Sequence, residues 1–592
     1  MCGVIGILGK EDAVLRAVEC LSRLEYRGYD SCGVASIHQG KVERRRAVGK
    51  IASLRRVLEK EPLHGNVVIG HTRWATHGGV TEVNAHPHVN DRVMVIHNGI
   101  IENYVSLKAE LKGQGFVFET ETDTEVVLQL LERSLKEGKS ELEAIAELKM
   151  RIEGAYALVI GFKSEPETLY GLRQGSPLAI GYGDGEMYLG SDAIGLASLS
   201  SKISYLEDGD WTILSHAGAL IYDKEGSAVS RDIKHSNFVS GLIGKEGYRH
   251  FMLKEIFEQP RVISEVLAHY IDFENKKVRM HFQKPENINI VACGTSYYAG
   301  MVGKYWIEKI ARIPVMIDVA SEFRYRTPPL NEKGLSLFIS QSGETIDTLE
   351  AMKYAKIHQA VGAFVNVPES SIARLANPMF PLLAGPEIGV ASTKAFIAAL
   401  GVLAAFTLYL KPEEACFEAL SHLPGLMNTT LALEPQIEAL AHKLIHASTI
   451  LYLGRSTSFP IAMEGALKLK ELSYIHAEGF AAGEMKHGPI ALIDDQTPVI
   501  ALAPFDDVYE KTLSNIQEVI ARGAKVILIT NKIPPEDMKD KLLGLIMLPF
   551  SHAFLSPFLL TLPLQLLAYH VACLKGTDVD QPRNLAKSVV VE

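Results

Sequence analysis

The chain has 592 residues, 47% of them hydrophobic, with 60 basic and 70 acidic side chains and a net charge of −10. That length supports roughly three to four domains, and an acidic balance with no basic block gives no basis for nucleic-acid binding. Six scattered cysteines without a C-x-x-C pair argue against a disulfide framework or a cysteine-rich zinc site, and for a reducing, cytoplasmic setting.

The chain opens Met1-Cys2-Gly3-Val4-Ile5-Gly6-Ile7, without the basic start and long apolar run of a signal peptide. Removal of Met1 would leave Cys2 carrying a thiol and a free α-amine on one carbon. Such an amine titrates near pH ~8 and can take the thiol proton, so nucleophile and general base would share one residue. Taken alone, Cys2 can equally be a small residue following an initiator. Residues 3–8, 67–70, 93–97 and 157–161 read as buried strands, and 107–114 and 123–137 as helices. Strands dominate, with helices between groups of them, so residues 1–235 are expected to form a layered α+β domain.

Four segments here carry chemistry. Arg27-Gly-Tyr-Asp-Ser-Cys-Gly sets Arg27 in a Gly-rich turn, and His71-Thr-Arg-Trp-Ala-Thr-His-Gly-Gly sets Arg73 after a strand. Val95-Ile-His-Asn-Gly ends a strand in Asn98-Gly99, and Thr120-Glu-Thr-Asp-Thr-Glu puts Asp123 at a helix start. The planar fork of Arg73 suits a substrate α-carboxylate, and the Asp123 carboxylate suits an α-ammonium. The Asn98 amide and the Gly99 N–H suit an oxyanion. Helix capping would also explain Asp123, and a plain turn would explain Asn98-Gly99.

Together with Cys2-Gly3-Val4, these motifs resemble the N-terminal-nucleophile (class II) glutamine amidotransferases. The resemblance implies a four-layer αββα glutaminase. In it the residues matching Cys2, Arg73, Asn98, Gly99 and Asp123 hold those roles, and those matching Trp74, Thr76, His77 and Gly78 line or gate the glutamine pocket. Arg27 is expected beside them.

Polar residues 226–247 read as a linker, with the boundary placed at 236–250. Beyond it, strands alternate with long amphipathic helices, predicting doubly wound parallel sheets. The pattern occurs twice. Ile288-Asn-Ile-Val-Ala-Cys-Gly-Thr-Ser is similar to Thr449-Ile-Leu-Tyr-Leu-Gly-Arg-Ser-Thr, with further strands at 335–340 and 363–367 in one copy and at 498–503 and 525–530 in the other. Two domains, 251–425 and 426–575, and a tail, 576–592, are expected. Apolar residues 395–410 and 554–574 read as buried helices rather than membrane spans, the first being too short and the second interrupted by Pro557, Pro563, Gln565 and His570.

Ser340-Gln-Ser-Gly-Glu-Thr and Cys293-Gly-Thr-Ser each follow a strand and open a helix, a ready anion site for a phosphate monoester or, on the plainer reading, a helix cap. No Walker-type Gly-Lys-Thr is present. These turns resemble those of the sugar isomerase (SIS) domain. That resemblance assigns phosphate binding to Thr295, Ser340, Gln341, Ser342 and Thr345, and sugar contacts to Ser296, Val390 and Ser392. Acid–base work falls to Lys468, Glu471, His487 and Lys587. The chemistry asks for such a set: ring opening needs a proton shuttle, which suits a histidine, and moving a proton from C1 to C2 needs a carboxylate. Lys468 and Glu471 are three apart on one helix face, which is also the spacing of a surface ion pair.

The two resemblances together imply that glutamine nitrogen is released at Cys2 and delivered to fructose 6-phosphate, which is aminated and isomerised to glucosamine 6-phosphate. Neither a metal nor an organic cofactor is expected. The partners implied are those two substrates and a second copy of the chain, with His487 reaching across a homodimer or larger assembly; no nucleic acid or membrane is expected. A glutamine-dependent phosphoribosyltransferase, a sugar-phosphate sensor and a deglycase are the alternatives. The first lacks an acidic pyrophosphate-binding pair after a strand, and the intact set from Lys468 to Lys587 speaks against the second.

Overall fold

The computed structural model describes residues 2–235 and 244–589; Met1 and most of the expected linker, 236–243, lie outside the described residues. The chain divides into two compact units, Met1–Gly244 with Ala586–Glu592, and Lys245–Leu585.

The first unit holds two antiparallel sheets. Eight strands run in the order Lys234–His235, Lys202–Tyr205, Ala179–Tyr182, Met187–Gly190, Gly3–Leu8, Val67–Arg73, Ser31–His38 and Lys41–Val48. The second sheet has seven: Ala228–Val229, Gly218–Tyr222, Trp211–Ser215, Leu169–Gln174, Gly154–Phe162, Val93–Ile101 and His88–Val89. Gly3–Leu8 is buried on both faces and paired on both edges, which is why it reads as an unbroken apolar run. Val4, Leu8 and Ile69 of the first sheet share an apolar cluster with Ile96, Val159 and Leu169 of the second. Helix Val14–Leu24 buries Val14, Ala17, Val18, Leu21 and Leu24, a stripe at three- and four-residue spacing. Helix Glu141–Arg151 begins with a capping box between Ser140 and Glu143.

The structure departs from the linker expected over 226–247. Ala228–Val229 and Lys234–His235 are strands at the edges of the two sheets. Two-residue edge strands are too short to impose an apolar alternation, so the sequence there reads as loop.

The second unit contains two five-stranded parallel sheets of one plan. The first runs Val315–Val319, Ile288–Ala292, Leu335–Ser340, Ala360–Val365, Met379–Pro381; the second runs His476–Ala481, Thr449–Gly454, Pro498–Leu502, Lys525–Thr530, Leu542–Met547. In each, the first strand in the chain lies between the second and the third, so each sheet has a topological switch point beside it. One apolar cluster spans both copies. Helix Lys394–Leu410 and helix Ser556–Lys575 are apolar all round because they lie inside it. Among the described residues, only the segment Ala553–Lys575 is long and apolar enough to cross a membrane, and 89% of its apolar window is buried in protein.

Candidate functional sites

Cys2 stands at the head of strand Gly3–Leu8. Its backbone N–H donates to Asn98 Oδ1 at 3.0 Å, and Asn98 Nδ2 donates to the Cys2 carbonyl at 3.0 Å. Asn98 therefore clamps the residue that leads into a strand of one sheet to strand Val93–Ile101 of the other, which continues past the expected end at Asn98-Gly99. The Trp74 N–H donates to Cys2 Sγ at 3.2 Å. Although Cys2 keeps partial solvent access, desolvation by the surrounding protein pushes its thiol above the ordinary value, against the pull of the Trp74 amide and the Arg73 guanidinium. A thiol so placed holds its proton at neutral pH and needs a base to become a nucleophile.

Arg73 is buried. Its NH1 donates to the Gly79 carbonyl and its NH2 to those of His77 and Gly78, so the fork gathers the loop after its own strand around it. Gly78, at φ +78°, has no room for a Cβ beside Asn84 and Glu121. His77 meets Tyr104 edge-on, Trp74 meets Tyr29 edge-on, and Thr76 is exposed. Gly99 has φ +132°, and a Cβ there would lie 1.9 Å from the Ala155 carbonyl oxygen, so only glycine fits beside Asn98. Arg27 is engaged with Asp192, which also caps the short helix Ala193–Leu196.

Asp123 does not cap the following helix. The residue at the cap position of Glu125–Lys136 is Thr124, whose side chain makes no capping bond. Instead, Asp123 Oδ2 accepts the Ile101 N–H at 2.8 Å, and Asp123 is buried. Its other oxygen accepts no hydrogen bond among the described residues.

In the second unit, helix Gly294–Trp306 opens directly after strand Ile288–Ala292, with Gly294 at φ +53°. After strand Leu335–Ser340, the Gly343 N–H donates to Ser340 Oγ at 3.0 Å and the Glu344 N–H to Ser342 Oγ at 3.2 Å, while Ser340 and Thr345 pair through their hydroxyls at 3.1 Å. The turn is thus lined by hydroxyls and opens at the start of helix Ile346–His358. Gln341 follows Ser340, and Ser296 lies in the first turn of Gly294–Trp306.

Helix Ser458–Ser473 of the second copy brings the chemistry to the first. Lys468 Nζ donates to Thr295 Oγ1 at 3.1 Å and to Glu471 Oε2 at 2.7 Å, and lies 3.6 Å from Glu464 Oε1. Lys468 is 1% exposed, so this is no surface ion pair. The two carboxylates hold its ammonium well above the usual lysine range despite burial. Burial pushes Glu464 up to about 8 against the pull of Lys468. Glu471 retains an edge open to solvent, which a base serving a bound ligand requires.

Val390 is buried and bonded through its N–H to the Asp580 carbonyl, and Ser392 Oγ donates to Glu387 Oε2 at 2.9 Å. Glu387 also accepts the N–H groups of Thr393 and Ala395, and Glu255 accepts those of Ile388 and Gly389, so two buried carboxylates hold the whole loop. His487 ends the turn Ala482–His487 and is exposed. Lys587 belongs to the tail segment grouped with the first unit and is part-exposed. Sequence reasoning gave no role to Glu387, Glu464 or the histidines around Asp123. Glu464 did carry a signal: it is four residues before Lys468 and seven before Glu471, on one face of a largely apolar helix.

Residues 71–198 match the family model of the glutamine amidotransferase domain, and residues 281–409 and 443–575 match that of the SIS domain. Over 100% of both chains, the protein is 53% identical to a glutamine–fructose-6-phosphate aminotransferase (isomerizing) of Brucella abortus. It is 54% identical to the one of Bradyrhizobium diazoefficiens, again over 100% of both. Among solved structures, the C-terminal domain of glucosamine-fructose-6-phosphate aminotransferase from Francisella tularensis matches with a TM-score of 0.54 at 43% identity, over 57% of this chain and 100% of that one.

Proposed function

The chain belongs to the glutamine–fructose-6-phosphate aminotransferase (isomerizing) family, and from that we propose that it hydrolyses glutamine at Cys2 and uses the ammonia to convert fructose 6-phosphate to glucosamine 6-phosphate. One observation carries the reading. A cysteine whose backbone is clamped by Asn98 and whose thiol accepts the Trp74 N–H heads a central strand, in the same chain as a Lys468–Glu471 pair tied to the hydroxyl of a strand-end turn.

On this reading the first unit is a four-layer αββα glutaminase. Arg73 takes the glutamine α-carboxylate and Asp123 the α-ammonium, while Arg27, Trp74, Thr76, His77 and Gly78 shape the pocket. The Cys2 amine freed by loss of Met1 takes the thiol proton, and the sulfur attacks the amide carbon. The Asn98 amide and the Gly99 N–H stabilise the oxyanion. Ammonia leaves, and water then hydrolyses the thioester.

In the second unit Thr295, Ser340, Gln341, Ser342 and Thr345 hold the phosphate, and Ser296, Val390 and Ser392 the sugar. His487 opens the ring, Lys468 and Lys587 assist loss of water at C2, and Glu471 carries the proton from C1 to C2. The exposed position of His487 on its own chain supports its delivery to a partner subunit, hence a homodimer or larger assembly in the cytoplasm. Ammonia must travel unprotonated, because ammonium is no nucleophile; transfer shielded from bulk water serves that need.

The test is formation of glucosamine 6-phosphate from glutamine and fructose 6-phosphate by Met1-processed protein, beside Cys2→Ala. Product with the first and none with the second is the expected result. Glutamate without amino sugar would redirect the search to another acceptor, and no turnover at all would favour a sugar-phosphate sensor.

A further inference from the structure

The segment that carries Asp123 lies against a cluster of four buried histidines, three of which bond to it; the reaction gives none of the four a task. His71, on strand Val67–Arg73, and His97, on strand Val93–Ile101, meet where His71 Nε2 lies 2.9 Å from the His97 carbonyl oxygen. A carbonyl only accepts, so His71 carries its proton on Nε2, and its Nδ1 has no partner. The His86 ring stacks on His71 at 4.3 Å and meets His88 edge-on at 4.6 Å. All four rings are buried, and burial keeps each below the ordinary imidazole range.

Three of these rings, His86, His88 and His97, grip the hydroxyls on either side of Asp123. Thr124 Oγ1 lies 2.9 Å from His86 Nε2 and 3.0 Å from His97 Nδ1. One hydroxyl has one proton, so it donates to one ring and accepts from the other. Both bonds form only while the ring that receives the proton is neutral. Thr122 Oγ1 lies 3.0 Å from His88 Nε2 and 2.9 Å from Thr120 Oγ1, and the Thr120 hydroxyl donates to Glu125 Oε2 at 2.7 Å. With Glu125 accepting, the direction is set along the row: His88 to Thr122 to Thr120 to Glu125. Asp123 itself is pinned by the Ile101 N–H on one oxygen only.

We propose that Thr124 and Thr122, each anchored to buried imidazoles, are positioning residues that fix the Asp123 carboxylate where it receives the α-ammonium of glutamine. The proposal rests on the glutaminase reading of the first unit. An uncharged scaffold suits the task. A charged group at these four positions would compete with the ammonium for the carboxylate or repel it, whereas neutral rings orient the carboxylate without weakening its field at the substrate.

The test is glutaminase kinetics of full-length Thr124→Val, a change that keeps shape and removes the hydroxyl. The expected result is a glutamine KM raised by about ten-fold with kcat within about two-fold, the pattern of lost binding rather than lost chemistry. Thr124→Ser should restore KM. On glutaramate, which has the amide and the carboxylate but no α-ammonium, Thr124→Val and wild type should be equal. Cys2 alkylation by iodoacetamide should proceed at the wild-type rate in both. An unchanged glutamine KM, or an equal loss on both substrates, overturns the proposal. Should Thr124→Val not fold, Thr122→Val carries the same expectation. Asp123→Asn separates the two readings: if it leaves glutamine KM unchanged, the role of Asp123 falls, whereas a raised KM there with wild-type behaviour of Thr124→Val overturns only the scaffold.

Discussion

Glu464→Gln should make the second unit more stable at neutral pH. Glu464 is 1% exposed, and burial raises its carboxyl from 4.5 to about 8. Between those values the unfolded chain has released the proton and the folded protein retains it. Stability therefore falls as pH rises from 4.5 towards 8 and levels off above. Each pH unit costs about 1.4 kcal/mol, so the wild type carries a penalty of about 3 kcal/mol at pH 7 and under about 1 kcal/mol at pH 5. The neighbouring Lys468 adds no slope in this range, because it is charged in both states. Glutamine cannot ionise, yet its amide oxygen can still accept from Thr295, as the carboxyl does at 3.3 Å. The assay is native-state hydrogen exchange read on peptides of helix Ser458–Ser473, which reports local opening and needs no two-state assumption for a chain of two units. Protection should rise on the order of a hundred-fold at pH 7 and by roughly three-fold at pH 5. An equal gain at both pH values would refute the reasoning, because the benefit would then come from packing and not from a retained proton.

Three other outcomes follow from the same geometry. Gly99→Ala should abolish glutamine hydrolysis and destabilise the first unit by on the order of 3 kcal/mol, since its Cβ would sit 1.9 Å from the Ala155 carbonyl oxygen at φ +132°; denaturant unfolding beside a glutamate assay checks both. Gly343→Ala would push a Cβ to 1.9 Å from Ser370 Oγ at φ +65° and spread the hydroxyl-lined turn, so the KM for fructose 6-phosphate should rise by at least about ten-fold while Cys2 hydrolyses glutamine as before. His71 is held down to about 3 from 6.5 by burial. Its proton enters on unfolding, so between those values it removes up to about 1.4 kcal/mol of stability per unit fall in pH, and His71→Gln should flatten the acid slope of exchange in strand Val67–Arg73 by that amount.

Much of this was legible in the residues. Strands Gly3–Leu8, Val67–Arg73, Val93–Ile101 and Gly154–Phe162 lie in sheet interiors, where burial on both faces writes an apolar run into the sequence. The shared plan of the two parallel sheets was visible as a repeat because each copy opens on a strand ending in glycine and hydroxyl residues. Short edge strands such as Met379–Pro381 and Ala228–Val229 were not visible, since pairing on one side imposes no pattern. Asp123 stood where a helix cap is expected, and only tertiary structure shows its carboxylate turned to Ile101. His86 and His88 flank Pro87 in a polar stretch that reads as loop; their burial depends on strands from both sheets, which no local window contains.

The apolar helix Ser556–Lys575 has a consequence for how the protein is made. Its Gln565 side chain shares a hydrogen bond with Gln259, whose Nε2 donates to Gln565 Oε1 at 2.8 Å, and its leucines complete a cluster that begins at Met252. On the ribosome, helix Phe251–Tyr270 emerges about 300 residues before this partner, an interval of roughly 15 to 60 s at ordinary synthesis rates. Throughout that wait the nascent second unit has a core without its closing wall. Its sticky inner faces are then open to other nascent chains, so this late helix decides whether the earlier ones stay out of aggregates, and any stall or truncation before residue 556 should be a solubility defect before it is a catalytic one.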